Sequence, residues 1–232
     1  MTFQYDADIL ETFPNTAGAV IYAPRIHNEA SSDDLKAAYQ AEQHATIERI
    51  GDTALGDLPS LAAWRRTFSA FGVSPTKTRS APESLLRRLT KKGDIPSINA
   101  LVDIGNLVSI RYALPVAVFD TQAQTGTLMV RYANGDERYT ELGSNEIKHP
   151  EQGEVIFADD TGLVFARRWC WRQSFQSAAK MTTSQALIVV ESQHTSGKAD
   201  VQKAQADLLN LLTSYVDGDL SHAVLDANNP QF

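Results

Sequence analysis

The chain has 232 residues, a formal net charge of −7 and a single cysteine, Cys170. That length suits one large domain or two small ones with a substantial core, and the lone cysteine excludes a disulfide framework or a Cys-based metal site. No apolar run approaches the roughly 20 residues that span a bilayer, the amino terminus lacks the basic-then-apolar order of a secretion signal, and net acidity opposes indiscriminate nucleic-acid binding over the whole surface.

In chain order, residues 3–15 are short and mixed, and residues 18–23 read as a buried strand ended by Pro24. The Ser31-Ser32-Asp33-Asp34 cluster offers caps and early acids for a helix that runs to Ile50 and stops at Gly51. Its apolar face is thin, which predicts a helix on the outside. A second helix is capped by Ser60 and carries Leu61, Trp64, Phe68 and Phe71 at helical spacing before Gly72. Ser80-Ala81-Pro82-Glu83 has the form of a capping box for a third helix, whose exposed carboxyl end holds Arg87, Arg88, Lys91 and Lys92.

A fourth helix is predicted over residues 97–113, with Pro115 after it and a strand at 116–119. Asn99 and Asp103 read as helix-start and scaffold residues. The period then changes to two. Residues 127–132 and 137–142 flank Asn134-Gly135, the signal for a hairpin. Residues 154–158 and 163–169 form a second antiparallel pair, 186–190 a buried strand, and Val201 to Tyr215 the stripe of a last helix. The tail from residue 227 is expected to fray. The reading is α+β: N-terminal helices packed on an antiparallel or mixed, partly barrel-like sheet, with a C-terminal helix. As one domain, it divides into an N-terminal extension (1–60), a core (61–191) and a C-terminal helix and tail (192–232).

Charge is unevenly spread. Between Trp64 and Lys92 lie eight basic residues and one acid, Glu83, and residues 161–190 hold four basic residues and no acid. Such runs are either solvated faces or anion-binding surfaces. No phosphate-binding glycine loop, nucleophile elbow or His-x-x-x-His pair is present, so no cofactor or metal is expected. The run Arg167-Arg168-Trp169-Cys170-Trp171-Arg172-Gln173 is the most unusual composition. As a strand it would set Arg168, Cys170 and Arg172 on one face and Trp169 and Trp171 on the other. It would then offer anion forks and stacking surfaces, or else a core with arginines paired to acids elsewhere.

Pro-x-Ile-Asn-x-x-Val-Asp-Ile-x-Asn-x-Val from Pro96, followed by Leu-Pro-Val-Ala-Val-Phe-Asp ending at Asp120, resembles the editing-domain core (B3/B4) of the bacterial phenylalanyl-tRNA synthetase beta subunit. The likeness continues to Glu191, and Trp64-Arg65, Phe68, Phe71-Gly72, Ser84 to Arg88 and the Arg/Trp run resemble free-standing members of that family. The resemblance implies a pocket that hydrolyses the ester of a wrongly attached amino acid on tRNA. The Asn at the position of Asn106 lines that pocket. The family's pocket His is Ala117 here, and its later pocket Glu has no counterpart among residues 161–190. A synthetase catalytic core is absent, so amino-acid activation is excluded.

On this reading Asn106 orients the substrate, Arg168 stabilises the oxyanion, and Trp169, Trp171, Arg172, Arg65, Arg87 and Arg88 bind substrate or tRNA. The partners expected are tRNA or aminoacyl-tRNA, or a small aminoacyl ligand, and no membrane. The setting expected is cytoplasmic. A non-catalytic module that binds tRNA or an amino-acid-like ligand is the alternative.

Overall fold

Two open sheets divide the chain between them in the computed structural model, which describes residues 1–232. In chain order the elements are β1 (Thr2–Tyr5), α1 (Ala7–Thr12), β2 (Ala17–Ile26), α2 (Asp33–Ile50), a 3-10 turn at Leu55–Asp57, α3 (Pro59–Ala70), α4 (Ala81–Lys92) and α5 (Ala100–Tyr112). Then come β3 (Val116–Asp120), β4 (Thr127–Tyr132), β5 (Tyr139–Thr140), β6 (Ile147–Lys148), β7 (Val155–Ala158), β8 (Val164–Arg167) and β9 (Arg172–Gln173). The chain closes with β10 (Ala186–Ser192), α6 (Gly197–Tyr215) and β11 (Gly218–Leu225). One sheet has the order β1-β4-β7-β8-β9, the other β11-β2-β10-β3, and β5-β6 is a separate ribbon. The fold is α+β as expected, but neither sheet closes, so the barrel-like element of that expectation gives way to two stacked sheets.

The run Ala186–Val190 is apolar throughout because both faces of β10 are covered. Ala186, Ile188 and Val190 face a helical layer that contributes Leu101, Ile104 and Val108 of α5 and Leu208 of α6. Leu187 and Val189 face the five-stranded sheet and its aromatic fill, Phe119, Phe157 and Phe165. The aromatic stripe of α3, Trp64 and Phe68, belongs to that second core. The first 60 residues supply a strand to each sheet. They are therefore woven into the same two cores.

Several expectations are corrected. The strand expected to end at Pro24 runs on to Ile26. The helix expected on the outside, α2, lies against α5 and buries Glu42, Gln43 and Thr46 beside Leu35 and Tyr39. Polar groups complete its thin apolar face: the Gln43 amide exchanges two hydrogen bonds with the backbone of Ile95, at 3.1 and 2.7 Å. Ser60 does not cap α3; its hydroxyl donates to the Ala113 carbonyl at 2.5 Å. Ser80 stands at the cap of α4, but its hydroxyl makes no hydrogen bond, and Glu83 binds Arg65 rather than closing a capping box.

The hairpin expected around Asn134-Gly135 does not form. Glu137 accepts hydrogen bonds from the backbone N–H of Asn134 and Gly135 (2.9 and 3.0 Å) and from Arg131, so a side chain closes that turn. The strand β4 instead lies between β1 and β7, and β5 pairs with β6. The tail does not fray either. β11 joins the edge of the second sheet, and Phe232 and Phe3 exchange backbone hydrogen bonds at 2.9 and 2.8 Å.

The 97–113 segment starts its helix at Ala100, where Asn99 accepts from the Val102 N–H at 3.1 Å. Asp103 is fully buried and takes hydrogen bonds from Ser31, Ser97 and the Ile98 N–H. Both are scaffold, as the sequence indicates. Gly105 lets α5 approach β3: a Cβ there would sit 2.8 Å from Cγ2 of Val118.

Candidate functional site

Where α4 and α5 meet the edges of the two sheets they leave a cavity of about 430 Å³. That volume lies within the range of small-molecule sites. Eleven of its eighteen lining residues are hydrophobic, so it suits a largely apolar group. Helix α4 contributes Ser84 and Leu85 and helix α5 contributes Asn106. The start of β3 contributes Val116 and Ala117, the β5 ribbon Glu141 and Leu142, and the turn after β8 contributes Trp169, Cys170 and Trp171.

The strand expected through residues 167–172 is interrupted. Arg168 and Trp169 both adopt left-handed backbone angles (φ 47° and 59°), which end β8 at Arg167 and destroy the simple alternation of faces. The turn is held by buried acid: Arg167 binds Glu154 through two hydrogen bonds (2.9 and 2.6 Å), and the Arg168 N–H donates to the same carboxylate at 3.0 Å. Trp169 is driven inward and is fully buried against Trp64, its ring centroid 5.2 Å away. It forms part of the cavity wall and has no open face on which a base could stack.

The other expected residues are placed as follows. Asn106 and Ala117 line the cavity. Arg168 does not line it; its guanidinium donates to Thr78 at 2.8 Å and lies 4.6 Å from the Trp171 ring centroid. Arg172 stands at the cavity with Trp171, 4.7 Å from that centroid, and is paired with Glu141. Arg65 is committed to Glu83 at 2.7 and 3.0 Å. Arg87 and Arg88 are exposed on α4, with Arg88 near Asp94 at 3.5 Å. Asn106, Trp169, Trp171 and Arg172 thus meet at one cavity, while Arg65 and Arg168 do not reach it. The three arginines of the acid-free stretch 161–190 meet Glu154, Glu151 and Glu141, while its one lysine, Lys180, lies over the Phe175 ring.

Among the cavity residues that escaped the sequence reading, Glu191, near the end of β10, is the buried acid. It lies one position past the acid-free stretch, and an acid closing a wholly apolar strand was the available signal. Its Oε1 accepts from the Tyr5 hydroxyl at 2.9 Å and from the Trp169 indole N–H at 2.8 Å. Its Oε2 makes no hydrogen bond within the protein and no cation pairs with it. Burial lifts its pKa to about 7, against the opposing pull of those two donors. Burial and the Glu191 charge push the Cys170 thiol well above its ordinary value, so this cysteine is held protonated.

A family model described as the B3/4 domain matches residues 63–227. The chain belongs to the B3/4 domain family. Among curated proteins this B3/4 domain is similar to phenylalanine–tRNA ligase beta subunits. It is 38% identical to that of Staphylococcus saprophyticus over 101 residues, covering 43% of this chain and 12% of the subunit. It is 28% identical to that of Fusobacterium nucleatum over 156 residues, covering 67% and 19%. The matches therefore span a minor part of those subunits. Among solved structures, an N-terminal fragment of the phenylalanyl-tRNA synthetase beta subunit from Pyrococcus horikoshii aligns with a TM-score of 0.47 and 14% identity, over 94% of this chain and 49% of that one.

Proposed function

We propose that this B3/4 domain receives an aminoacyl group in its cavity and hydrolyses the ester joining it to tRNA, or to a small carrier, in the cytoplasm. The observation that carries this reading is the cavity itself, a half-open and largely apolar cleft with Asn106 on one wall and the buried Glu191 on another. In the reaction a water oxygen bonds to the ester carbonyl carbon, the carbon–oxygen bond to the ribose breaks, and the ribose oxygen leaves with a proton. An ester is already activated, so a positioned water and a donor to the developing oxyanion can suffice. The Asn106 amide is the side chain to supply that donor. Cys170, held as a thiol, is not required. Helix α4, which lines the cavity at its first turns, carries Arg87, Arg88, Lys91 and Lys92 at its far end, where a tRNA backbone could run.

The test is incubation of the purified protein with a panel of mischarged tRNAs, following release of the amino acid. Release from at least one, falling at least tenfold in Asn106→Ala with the fold intact by circular dichroism, is expected. No release above buffer from any of them would remove the hydrolase reading. A second reading, binding without catalysis, is favoured by Ala117, whose methyl stands on the cavity wall where the family resemblance implies a His. Saturable retention of tRNA with no release would support it.

A further inference from the structure

The buried carboxylate of the cavity has a lopsided set of partners. Both of its hydrogen-bond donors, the Tyr5 hydroxyl and the Trp169 indole N–H, serve one oxygen, Oε1. The other oxygen is left without a partner in a side chain only 2% exposed, and the residue lines an apolar cavity. No lysine or arginine compensates the charge: Arg172 pairs with Glu141 and Arg167 with Glu154. A buried carboxylate with one open oxygen and no counter-charge either keeps a proton or takes a cation on that oxygen.

We infer that the cavity selects ligands by a protonated primary amine, held on Oε2 of Glu191, with the apolar remainder of the ligand against Val116, Ala117 and Phe157. This rests on the cavity being the ligand site, and within the aminoacyl reading it names the α-ammonium as the recognised group. The same chemistry is presented by a simple apolar amine.

The surroundings make the inference testable by pH alone. The titratable groups around Glu191 are Tyr5 from β1, Tyr139 and Glu141 from the β5 ribbon, Cys170 from the turn and Arg172 from β9. Tyr5, Tyr139 and Cys170 are all shifted upward and stay neutral near pH 7. Glu141 is held down by Lys148 and Arg172 and stays ionised. Glu191, lifted to about 7, is the group that changes charge there.

Binding of three probes to the intact protein would be measured by calorimetry: isopentylamine, L-leucinamide, and 4-methylpentanamide, which is leucinamide without its amine. Both amines are expected to bind at least tenfold more tightly than 4-methylpentanamide at pH 7. Isopentylamine affinity is expected to rise about tenfold from pH 6 to pH 8 as the carboxyl ionises. Glu191→Gln can still accept from Tyr5 and Trp169 but turns an N–H₂ toward the ligand, so it should abolish the preference for amines. Preference for leucinamide over isopentylamine points to an aminoacyl source; equal binding points to simple amines. Equal binding of 4-methylpentanamide, affinity that falls as pH rises, or no binding of either amine at millimolar concentration would overturn the inference. The pH series uses the unmodified protein and so does not depend on the variant folding. Amine binding without deacylation would sink the hydrolase reading alone, and deacylation without amine preference would sink this one alone.

Discussion

At the scale of single residues, Glu191 links the cavity to the stability of the fold. Its folded pKa of about 7 lies above the ordinary 4.5, so the folded protein retains a proton that the unfolded chain gives up between those values. The contribution is whole below about pH 4.5 and is lost as pH rises through 7. A shift of this size corresponds to at most about 3 kcal/mol. Urea unfolding of the wild type and Glu191→Gln at pH 5 and pH 8 isolates the effect, because groups titrating elsewhere cancel between the two proteins. The wild type should lose stability relative to the variant as pH rises. An offset that stays constant across the interval would mean that Glu191 is not the group titrating.

Among the elements, the contact between α5 and β3 sets the position of Asn106. Gly105 costs the helix about 1 kcal/mol of propensity relative to alanine, yet a Cβ there would meet Val118 at 2.8 Å. Overpacking of this kind costs roughly 1–3 kcal/mol, so it should win. Gly105→Ala is expected to lower thermal stability by a few degrees and to weaken any cavity ligand along with it; a more stable variant would show that α5 has slack against the sheet. The helices were largely legible in the sequence, because caps and apolar stripes act within a few residues: Ser32 and Asn99 cap where their sequences suggest. What the sequence hid depends on distant partners. Glu137 overrides the Asn-Gly signal by taking the turn's N–H groups itself. Glu154 folds the Arg/Trp run into a left-handed turn. Asn106 lies on the cavity wall, whereas Trp169 is sealed in the core and Arg168 is turned away. Glu191 became conspicuous only once Tyr5 and Trp169 were seen to converge on it.

For the whole molecule, the acidic surplus and the cationic α4 predict a polarised surface. Among the basic residues between Trp64 and Lys92, Arg65 and Arg79 are drawn to Glu83 and Arg88 to Asp94, while Arg87, Lys91 and Lys92 have no acidic partner within salt-bridge distance. If tRNA follows α4, replacing Arg87, Lys91 and Lys92 by Gln should weaken binding across all sequences and flatten its dependence on salt by roughly one unit of log–log slope per cation removed. Filter binding between about 50 and 200 mM salt reads this directly. An unchanged slope would move the RNA path off this helix.

The pairing of Tyr5 with Glu191 joins residues 186 positions apart, and β2 lies hydrogen-bonded between β10 and β11, both made from the last quarter of the chain. A strand whose neighbours are so remote waits for them, and topologies dominated by such contacts fold slowly. During synthesis β2 must therefore remain without its ladder until β10, which begins 160 residues after β2 ends, has been made. Its apolar residues Val20 and Ile21 are available to the wrong partner for that whole interval. The cavity, which Glu191 of β10 completes, is then among the last features to form, so a ribosome-bound chain lacking β10 has helices α1 to α5 but neither α6 nor a finished cavity.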